Sequence, residues 1–488
     1  MSISGALNNA ASGLTVSARL ADTISNNVAN AMTPGFGRRV NEISSLTLGG
    51  YGSGARVVGT ARTESPFLTA ERRGMDAALG AAGTLSQANA RLADALGEPG
   101  APGALATRAT ALETKLMAAV AAPQSPAQLA DAATAARLLA RSLNEIAAET
   151  VRMRTEADAE IARQVEAVNA GLNAVAEINA RIVTLGLRGE DVSGLQDERD
   201  RVIDGIAPIV PLRAVNRDNG QVALYAANGG ALLDGRVWPL RFERGPTVIT
   251  PEMSLANGQL SGLLQDRGAS GGPEPVEAGT GAGLFDGGSL GALFDLRDRI
   301  APEFGAETDR YAAELIERFR DLAPPAALDA LGRGLFVDPA AGPATGLAGR
   351  IAMNAAADPA QGGAAWRLRD GLAAAAPGEE GFGGFLQGLA DAMTTARAPA
   401  GWVSQNASND AATMASEIAS FFAGRSARAD DARAYLVARQ TALADSEANA
   451  IGVDTDAELK ALILVEQAYA ANARVLSVID GLLKLLLE

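Results

Sequence analysis

Apolar residues recur at steps of three and four along both ends of the chain, a spacing that puts them on one face of an α-helix. The C-terminal stretch, 455–488, has seven such positions: Leu462, Val465, Tyr469, Leu476, Ile479, Leu483 and Leu486. The N-terminal stretch has eight, some of them small: Ile3, Leu7, Ala10, Leu14, Ser17, Ala21, Ile24 and Val28. Narrow stripes of this kind are typical of coiled-coil seams, so we predict that the terminal helices take part in helix pairing.

The larger residues of these two seams form the predicted assembly interface. It comprises all seven C-terminal positions and, from the N-terminal stretch, Ile3, Leu7, Leu14, Ile24 and Val28. The remaining seam positions are alanine or serine, whose burial releases little free energy against the entropy lost when two helices are ordered. We therefore expect the terminal helices to be marginally stable in a monomer and to become ordered when neighbouring copies pack around them.

Between the ends, long helical patterns alternate with short β-like runs. The longest helix begins at a capping box, with Ser125 as the cap, Pro126 at the first helical position and Gln128 closing the box. It continues without proline to residue 185. Further helices are predicted over 75–122 with a break at 97–103, and over 197–205, 290–322 and 407–451. Strands are predicted over 40–48, 55–63, 210–215, 221–226 and 231–240.

The predicted fold is mainly α: a long antiparallel helical rod bundle with terminal coiled-coil helices and a small β-containing insert. We divide it into four parts. They are a terminal coiled-coil domain (1–34 plus 455–488), a helical rod domain with an extended connector (35–205, 288–325 and 405–454), a β segment with a Gly-rich loop (206–287), and a variable, solvent-facing outer domain (326–404).

Composition narrows the chemistry that the chain can support. Its 488 residues include no Cys and no His, which excludes disulfides, Cys–His and Ser–His catalysis and ordinary zinc sites. The formal net charge is −15 and no basic patch appears, so we expect no nucleic-acid binding. We predict no catalytic residue, no cofactor and no metal, and we interpret the protein as not an enzyme.

Targeting signals are not evident in the sequence. Charged residues interrupt the apolar stretches before the ~20 residues of a membrane span, so we predict no membrane insertion. The N-terminus has no basic region before an apolar run, since its first charge is Arg19, and we therefore expect no cleaved signal peptide. Composition alone would indicate a cytoplasmic protein.

One cluster of carboxylates is dense enough to be weighed as a catalytic site: Asp197, Glu198, Asp200 and Asp204. A pair of acids can perform general acid–base catalysis. Arg199 and Arg201 are interleaved with them, however, and this pattern favours a solvated helix face with local ion pairs.

Both ends of the chain resemble the flagellar axial proteins, the family of rod, hook and hook-associated subunits. The N-terminal resemblance begins with Ser12-Gly13-Leu14, and its signature positions are Asn26, Asn27, Asn30, Thr33, Pro34 and Gly35. Phe36 stands where the family usually has tyrosine. The C-terminal resemblance rests on the closing helix, with Gln467, Asn472 and Arg474 as its signature positions.

Three internal segments are similar to the hook-associated branch of that family: Gly54–Gly74, Gly194–Gly235 and Gly288–Ile300. The resemblance implies a structural component of the bacterial flagellum that forms the junction between hook and filament and polymerises through its terminal helices. It implies four partners: copies of the protein in a ring, hook protein, a second hook–filament junction protein and a cytoplasmic export chaperone. It also implies an extracellular, flagellar location reached by export without a cleaved signal peptide. Residues 326–400 match no part of the family pattern.

Two other interpretations remain open. A flagellar hook or rod subunit would share both terminal signatures, but such subunits usually have shorter helical bundles and more β structure. A cytoplasmic coiled-coil scaffold would share the seams, but it would not need the Thr33-Pro34-Gly35 turn or a match at both ends.

Overall fold

The computed structural model describes residues 3–48, 51–227, 229–266, 274–276, 285–322, 327–399, 401–402 and 408–487. The helices are α1 (Ile3–Asn30), α2 (Pro66–Leu96), α3 (Leu105–Ala121), α4 (Pro126–Gly186), α5 (Ser193–Ile206), α6 (Ser289–Asp295), α7 (Ala301–Arg320), α8 (Arg367–Asp370), α9 (Gly384–Thr394), α10 (Ala411–Ile451) and α11 (Thr455–Leu487). A π-helical turn, Leu296–Ile300, lies between α6 and α7.

The strands are short and antiparallel. They are β1 (Arg39–Leu48), β2 (Tyr51–Arg62), β3 (Leu212–Asn216), β4 (Val222–Ala226), β5 (Ala231–Asp234), β6 (Arg236–Val237), β7 (Leu240–Arg241), β8 (Leu263–Gln265), β9 (Glu274–Val276), β10 (Phe336–Val337) and β11 (Ala352–Met353). Strands β1 and β2 form a hairpin, β3 to β6 form a four-stranded sheet, β7 to β9 form a three-stranded sheet, and β10 pairs with β11. The predicted mainly α fold class, with long helices and a small β component, is confirmed.

The observed bounds of the longest helix agree with the signals in its local sequence. Helix α4 is 61 residues long, and the backbone N–H of Gln128 donates to Ser125 Oγ at 3.4 Å at its start. Gly171 in its interior costs helix stability relative to alanine, but Ile206 packs there so closely that a Cβ at Gly171 would lie 2.6 Å from Ile206 Cγ2. Glycine is therefore used at this position for a close helix contact.

The chain divides into two compact units. The first comprises residues 1–79, 167–239 and 436–488, and the second comprises 80–166 and 240–435. The predicted domain boundaries divide the chain more finely and remain predictions. The boundary positions 1, 325, 326, 404, 405 and 488 and part of the Gly-rich loop lie outside the described residues.

The core of the second unit is organised around Arg297 in the π-helical turn. Its side chain is fully buried and donates to Asp158 Oδ1 at 2.7 Å, to both carboxylate oxygens of Asp298 at 2.8 Å, and to the Ser261 carbonyl at 3.0 Å. The neighbouring Arg154 donates to the carbonyl oxygens of Arg297, Thr250 and Met253. Burial lowers the pKa of Arg154. These two guanidinium groups join α4, the helix from α6 to α7 and the loops before β8.

The segment 327–399, most of the predicted outer domain, also packs within the second unit. Its apolar side chains Phe336, Ile351, Met353 and Leu386 are buried. The Asp309 carboxylate on α7 accepts backbone N–H groups from residues 346 and 348, and Asn144 on α4 donates to carbonyls of residues 348 and 351. This segment is therefore part of the unit's core.

One helical stretch of the described residues, Ala411–Lys484, contains an 18-residue window that is long and apolar enough to cross a membrane by length and composition alone. Charged residues such as Glu466 and Arg474 interrupt its apolar runs, and the absence of membrane insertion remains a prediction. Almost none of the window is buried, and its length and composition alone do not identify a membrane span.

Candidate assembly interface

The terminal helices α1 and α11 contact each other within one chain. Of the predicted interface residues, Ile24 and Ile479 are buried, whereas Leu7, Tyr469 and Leu483 are 37%, 48% and 38% exposed. The others are half-buried: Ile3, Leu14, Val28, Leu462, Val465 and Leu476. The side chain of Leu486 lies outside the described part of the chain. The structure thus pairs the two helices that carry the predicted seams, and most of the seam side chains are only partly buried.

A glycine and an asparagine allow the two helices to come close together. Gly13 lies directly opposite Asn472, and a Cβ at residue 13 would be 2.6 Å from Asn472 Nδ2. Real Cβ atoms do not approach a heavy atom so closely, so the contact as it stands requires glycine. The other closing signature residues, Gln467 and Arg474, are exposed.

The end of α1 is held to the hairpin by Asn27. This side chain is 1% exposed; its Nδ2 donates to the Arg39 carbonyl and its Oδ1 accepts the Arg39 backbone N–H, both at 2.9 Å. A side-chain amide that pairs with both backbone groups of one residue substitutes for a strand neighbour. Asn27 therefore fixes where β1 begins relative to α1.

The other signature residues form the turn that follows. Asn30 Nδ2 donates to the Asn26 carbonyl at 3.0 Å, and Thr33 Oγ1 donates to Asn30 Oδ1 at 3.3 Å. Pro34 is exposed. Gly35 has a φ of +75°, which favours glycine, and a Cβ there would lie 2.7 Å from Arg201 Cγ. The turn is thus built by local polar contacts and a left-handed glycine.

The start of α11 is tied to the same region by an ion pair. Arg38 Nε lies 2.6 Å from Glu458 Oε1, and Glu458 is only 1% exposed although it sits in the first turn of α11. The Arg38 backbone N–H also donates to the Ile451 carbonyl at the end of α10. Arg38, the residue immediately before β1, therefore contacts both helices that flank the 452–454 break.

The acidic block on α5 forms a continuous network with arginines from elsewhere in the first unit. Asp197 pairs with Arg39 at 2.6 Å and Arg62 at 3.1 Å, and Asp200 pairs with Arg62 at 2.6 Å and Arg73 at 3.1 Å. The chain of ion pairs continues through three further contacts: Arg73–Asp204 at 2.7 Å, Arg72–Asp204 at 2.9 Å, and Arg72–Glu447. The network joins the hairpin, α2, α5 and α10.

The prediction of a solvated face with local ion pairs was therefore wrong. Asp197 and Arg199 are 6% and 4% exposed, and the partners of Asp197 and Asp200 lie more than 100 residues away in sequence. Arg199 donates to Asn179 Oδ1 and to the Gly220 carbonyl instead. Sequence spacing identifies only partners on the same helix, so long-range pairing left no signal that spacing could detect.

Electrostatics keeps this network ionised. Burial opposes the charged form of Asp200, but Arg62 and Arg73 outweigh it, so the pKa of this carboxyl is lowered. Burial likewise disfavours the charged form of Arg62, but its carboxylate partners raise its pKa further than burial lowers it. A carboxylate held ionised between two guanidinium groups is suited to holding segments together and poorly suited to donating or accepting a proton.

Candidate sites for metal or ligand binding are sparse in the described residues. No group of three or more metal-ligating side chains is found there. An open, largely polar concavity of about 740 Å³ lies beside the hairpin, between α1 and the start of α5, with Arg19, Asp22, Arg62 and Glu64 among its lining residues. Arg62 and Glu64 pair with each other at 2.9 Å, so this concavity presents ion pairs.

Comparison with known proteins finds a family match for the middle of the chain. Residues 90–323 match the family described as the flagellar hook-associated protein FlgK helical domain. No curated protein is significantly similar to the chain. Among solved structures, the chain is similar to the flagellar hook junction protein FlgK from Burkholderia pseudomallei, with 17% sequence identity and a TM-score of 0.45.

That similarity covers 55% of this chain and 46% of the Burkholderia chain. This chain therefore spans less than half of the structure that it matches. The family match includes α3, α4, α5 and the helix from α6 to α7, and it includes two of the three internal segments that resembled the hook-associated branch. Residues 90–323 are thus similar to the helical domain of the FlgK family of flagellar hook-associated proteins.

Proposed function

We propose that this protein is a structural component of the bacterial flagellum that forms the junction between hook and filament by polymerising through its terminal helices. One observation carries the proposal: a segment that matches the FlgK helical domain is flanked in the chain by two terminal helices that contact each other. The family match supports the hook-associated branch over a hook or rod subunit, and it gives no support to a cytoplasmic scaffold.

The shallow burial of the terminal pair supports assembly. Large apolar side chains on α11 remain exposed, among them Leu464 at 65%, Val478 at 62% and Ile463 at 54%. Exposed apolar surface on this scale marks interaction sites in soluble proteins. In an assembled ring, neighbouring copies would cover it, which makes burial conditional on polymerisation.

The proposed partners follow from the same role. They are copies of this protein in a ring, hook protein on one side, a second hook–filament junction protein on the other, and a cytoplasmic export chaperone before export. The proposed location is extracellular, on the flagellum, reached by export without a cleaved signal peptide. The proposal includes no catalytic step, cofactor or metal.

Deletion of the gene in the source bacterium tests the function. We expect cells with hooks that lack filaments, and filament growth restored by the full chain. A chain with Ile24→Asp, which places a charge in the buried seam, should be exported but should not restore filaments. Asn9→Asp places the same charge at an exposed position of α1 and should restore them.

The amount of protein exported is measured by quantifying each variant in the medium and on isolated flagella, which separates a defect in assembly from a defect in export. Normal filaments without the protein would refute a junction role. Full restoration by Ile24→Asp would refute polymerisation through the terminal helices.

A further inference from the structure

Helix α11 carries a second apolar face that α1 does not cover. Its members follow one another at steps of four and three: Leu464, Ala468, Ala471, Val475, Val478 and Leu482. All six are exposed, and the four large side chains range from 45% to 65% exposed. A regular alternation of this kind is the pattern of a coiled-coil seam, and here it lies on the surface of the chain.

The second face of α11 lies beside the face that contacts α1. Five of its members precede a predicted seam position by one residue, as Leu464 precedes Val465 and Val475 precedes Leu476, and Ala471 precedes Asn472, which contacts α1 at Gly13. One residue turns a helix by about 100°. The apolar surface of α11 therefore extends over two adjacent sides, and α1 of the same chain lies against one of them.

Helix α1 also has a second face, offset from its inner seam by one residue. Its members repeat at the same steps of four and three and are all exposed: Ala11, Thr15, Ala18, Asp22, Ser25 and Ala29. The side chains are small, and Asp22 is the only charge among the six. Small residues along a seam allow a second helix to approach closely. The second face of α1 therefore carries small side chains, whereas the second face of α11 carries large ones.

We propose that the second face of α11 in one copy packs against the second face of α1 in the next copy. The proposal rests on the proposed function and names the surfaces that would carry it. The two faces have the same step pattern and opposite side-chain size, so large residues enter gaps left by small ones. The contact joins two different surfaces, and such head-to-tail contacts generate rings or helical arrays. A contact between two α11 helices would instead pair two copies and leave the α1 face uncovered.

The absence of cysteine allows a direct test by disulfide crosslinking. Cysteine replaces Ala11, Ala18 or Ser25 on α1 and Ala468, Val475 or Leu482 on α11, in nine pairs that sample both faces at heptad intervals. The full-length variants replace the native chain in the source bacterium, and isolated flagella are oxidised. A disulfide requires Cα atoms about 4.4–6.8 Å apart. We expect at least one pair to give a ladder of dimers, trimers and larger species, since every copy carries both cysteines.

Two control variants test whether crosslinking depends on the second face of α11 and on a cysteine in each helix. Ala470→Cys paired with Ala18→Cys places an equally exposed cysteine off the second face and should give no ladder. Chains with Val475→Cys alone should also remain uncrosslinked. Dimers from that single variant would show α11 against α11 and would overturn the proposal, as would crosslinks to a different flagellar protein.

Different results would refute the α11–α1 contact between copies and the junction role. Flagella that contain the variants but give no ladder from any of the nine pairs would overturn the α11–α1 contact and leave the junction role standing. Absence of the unmodified chain from isolated flagella would refute the junction role, and the α11–α1 contact would be refuted with it.

Discussion

At the scale of single residues, Gly13 determines how closely the terminal helices approach. Gly13→Val places a branched side chain where a Cβ alone would lie 2.6 Å from Asn472 Nδ2. The new side chain fits only if the half-buried Asn472 amide turns aside; we expect a loss of about 1 kcal/mol and faster hydrogen exchange in both α1 and α11. Asn472→Ala in the same chain should recover part of the loss, whereas Ala18→Val, at an exposed position of α1, should change little. Equal effects at positions 13 and 18 would contradict this account.

A second residue-scale prediction concerns acid sensitivity. The pKa of Asp200 is lowered in the folded protein because Arg62 and Arg73 outweigh its burial. The folded state therefore binds fewer protons than the unfolded state, and the stabilisation is complete above the ordinary carboxyl pKa of about 4 and lost as the pH falls below it. Asp200→Asn should lower the unfolding free energy by about 1–3 kcal/mol at pH 7.

The difference between Asp200→Asn and the native chain should then shrink in urea unfolding at pH 3. Glu71→Gln, which removes an exposed carboxylate from α2, provides the matched control and should have little effect at either pH. A difference that stays the same at pH 7 and pH 3 would show that Asp200 acts through something other than its charge.

At the scale of elements, the π-helical turn holds the core of the second unit together through Arg297. Arg297→Met leaves Asp158 buried without its cation, and breaking a buried pair in this way costs about 3–5 kcal/mol. Arg299→Met makes the same change two residues later, where the side chain is 55% exposed, and should cost about 0–1 kcal/mol. Urea unfolding measures the loss of unfolding free energy in each variant. Similar losses in the two variants would contradict the central role of Arg297 in this core.

These elements also show what sequence could predict. The bounds of α4 follow from its capping box and its uninterrupted stripe, because both are local signals. The seams of α1 and α11 were visible because helix periodicity identifies a face without naming its partner. Arg39, Arg62 and Arg297 went unrecognised because each pairs with a residue more than 100 positions away, and charge spacing along a helix contains no information about such partners.

At the scale of the whole molecule, stability is unevenly distributed between the terminal helices and the middle of the chain. Over the described side chains of α11, only Glu458 and Ile479 are buried, whereas α4 buries large residues along its length, among them Leu139, Leu143, Ile161, Val168 and Leu172. Helical segments with few buried contacts open locally at low free energy.

In a dilute monomer we therefore expect faster hydrogen exchange over 3–30 and 455–484 than over 126–186. Exchange in the two terminal segments should slow in assembled flagella, because neighbouring copies would then cover their exposed faces, while α4 serves as the internal reference. Equal protection of all three segments in the monomer would mean that the terminal pair is already stable alone, and assembly would then have to proceed without the ordering that we expect of it.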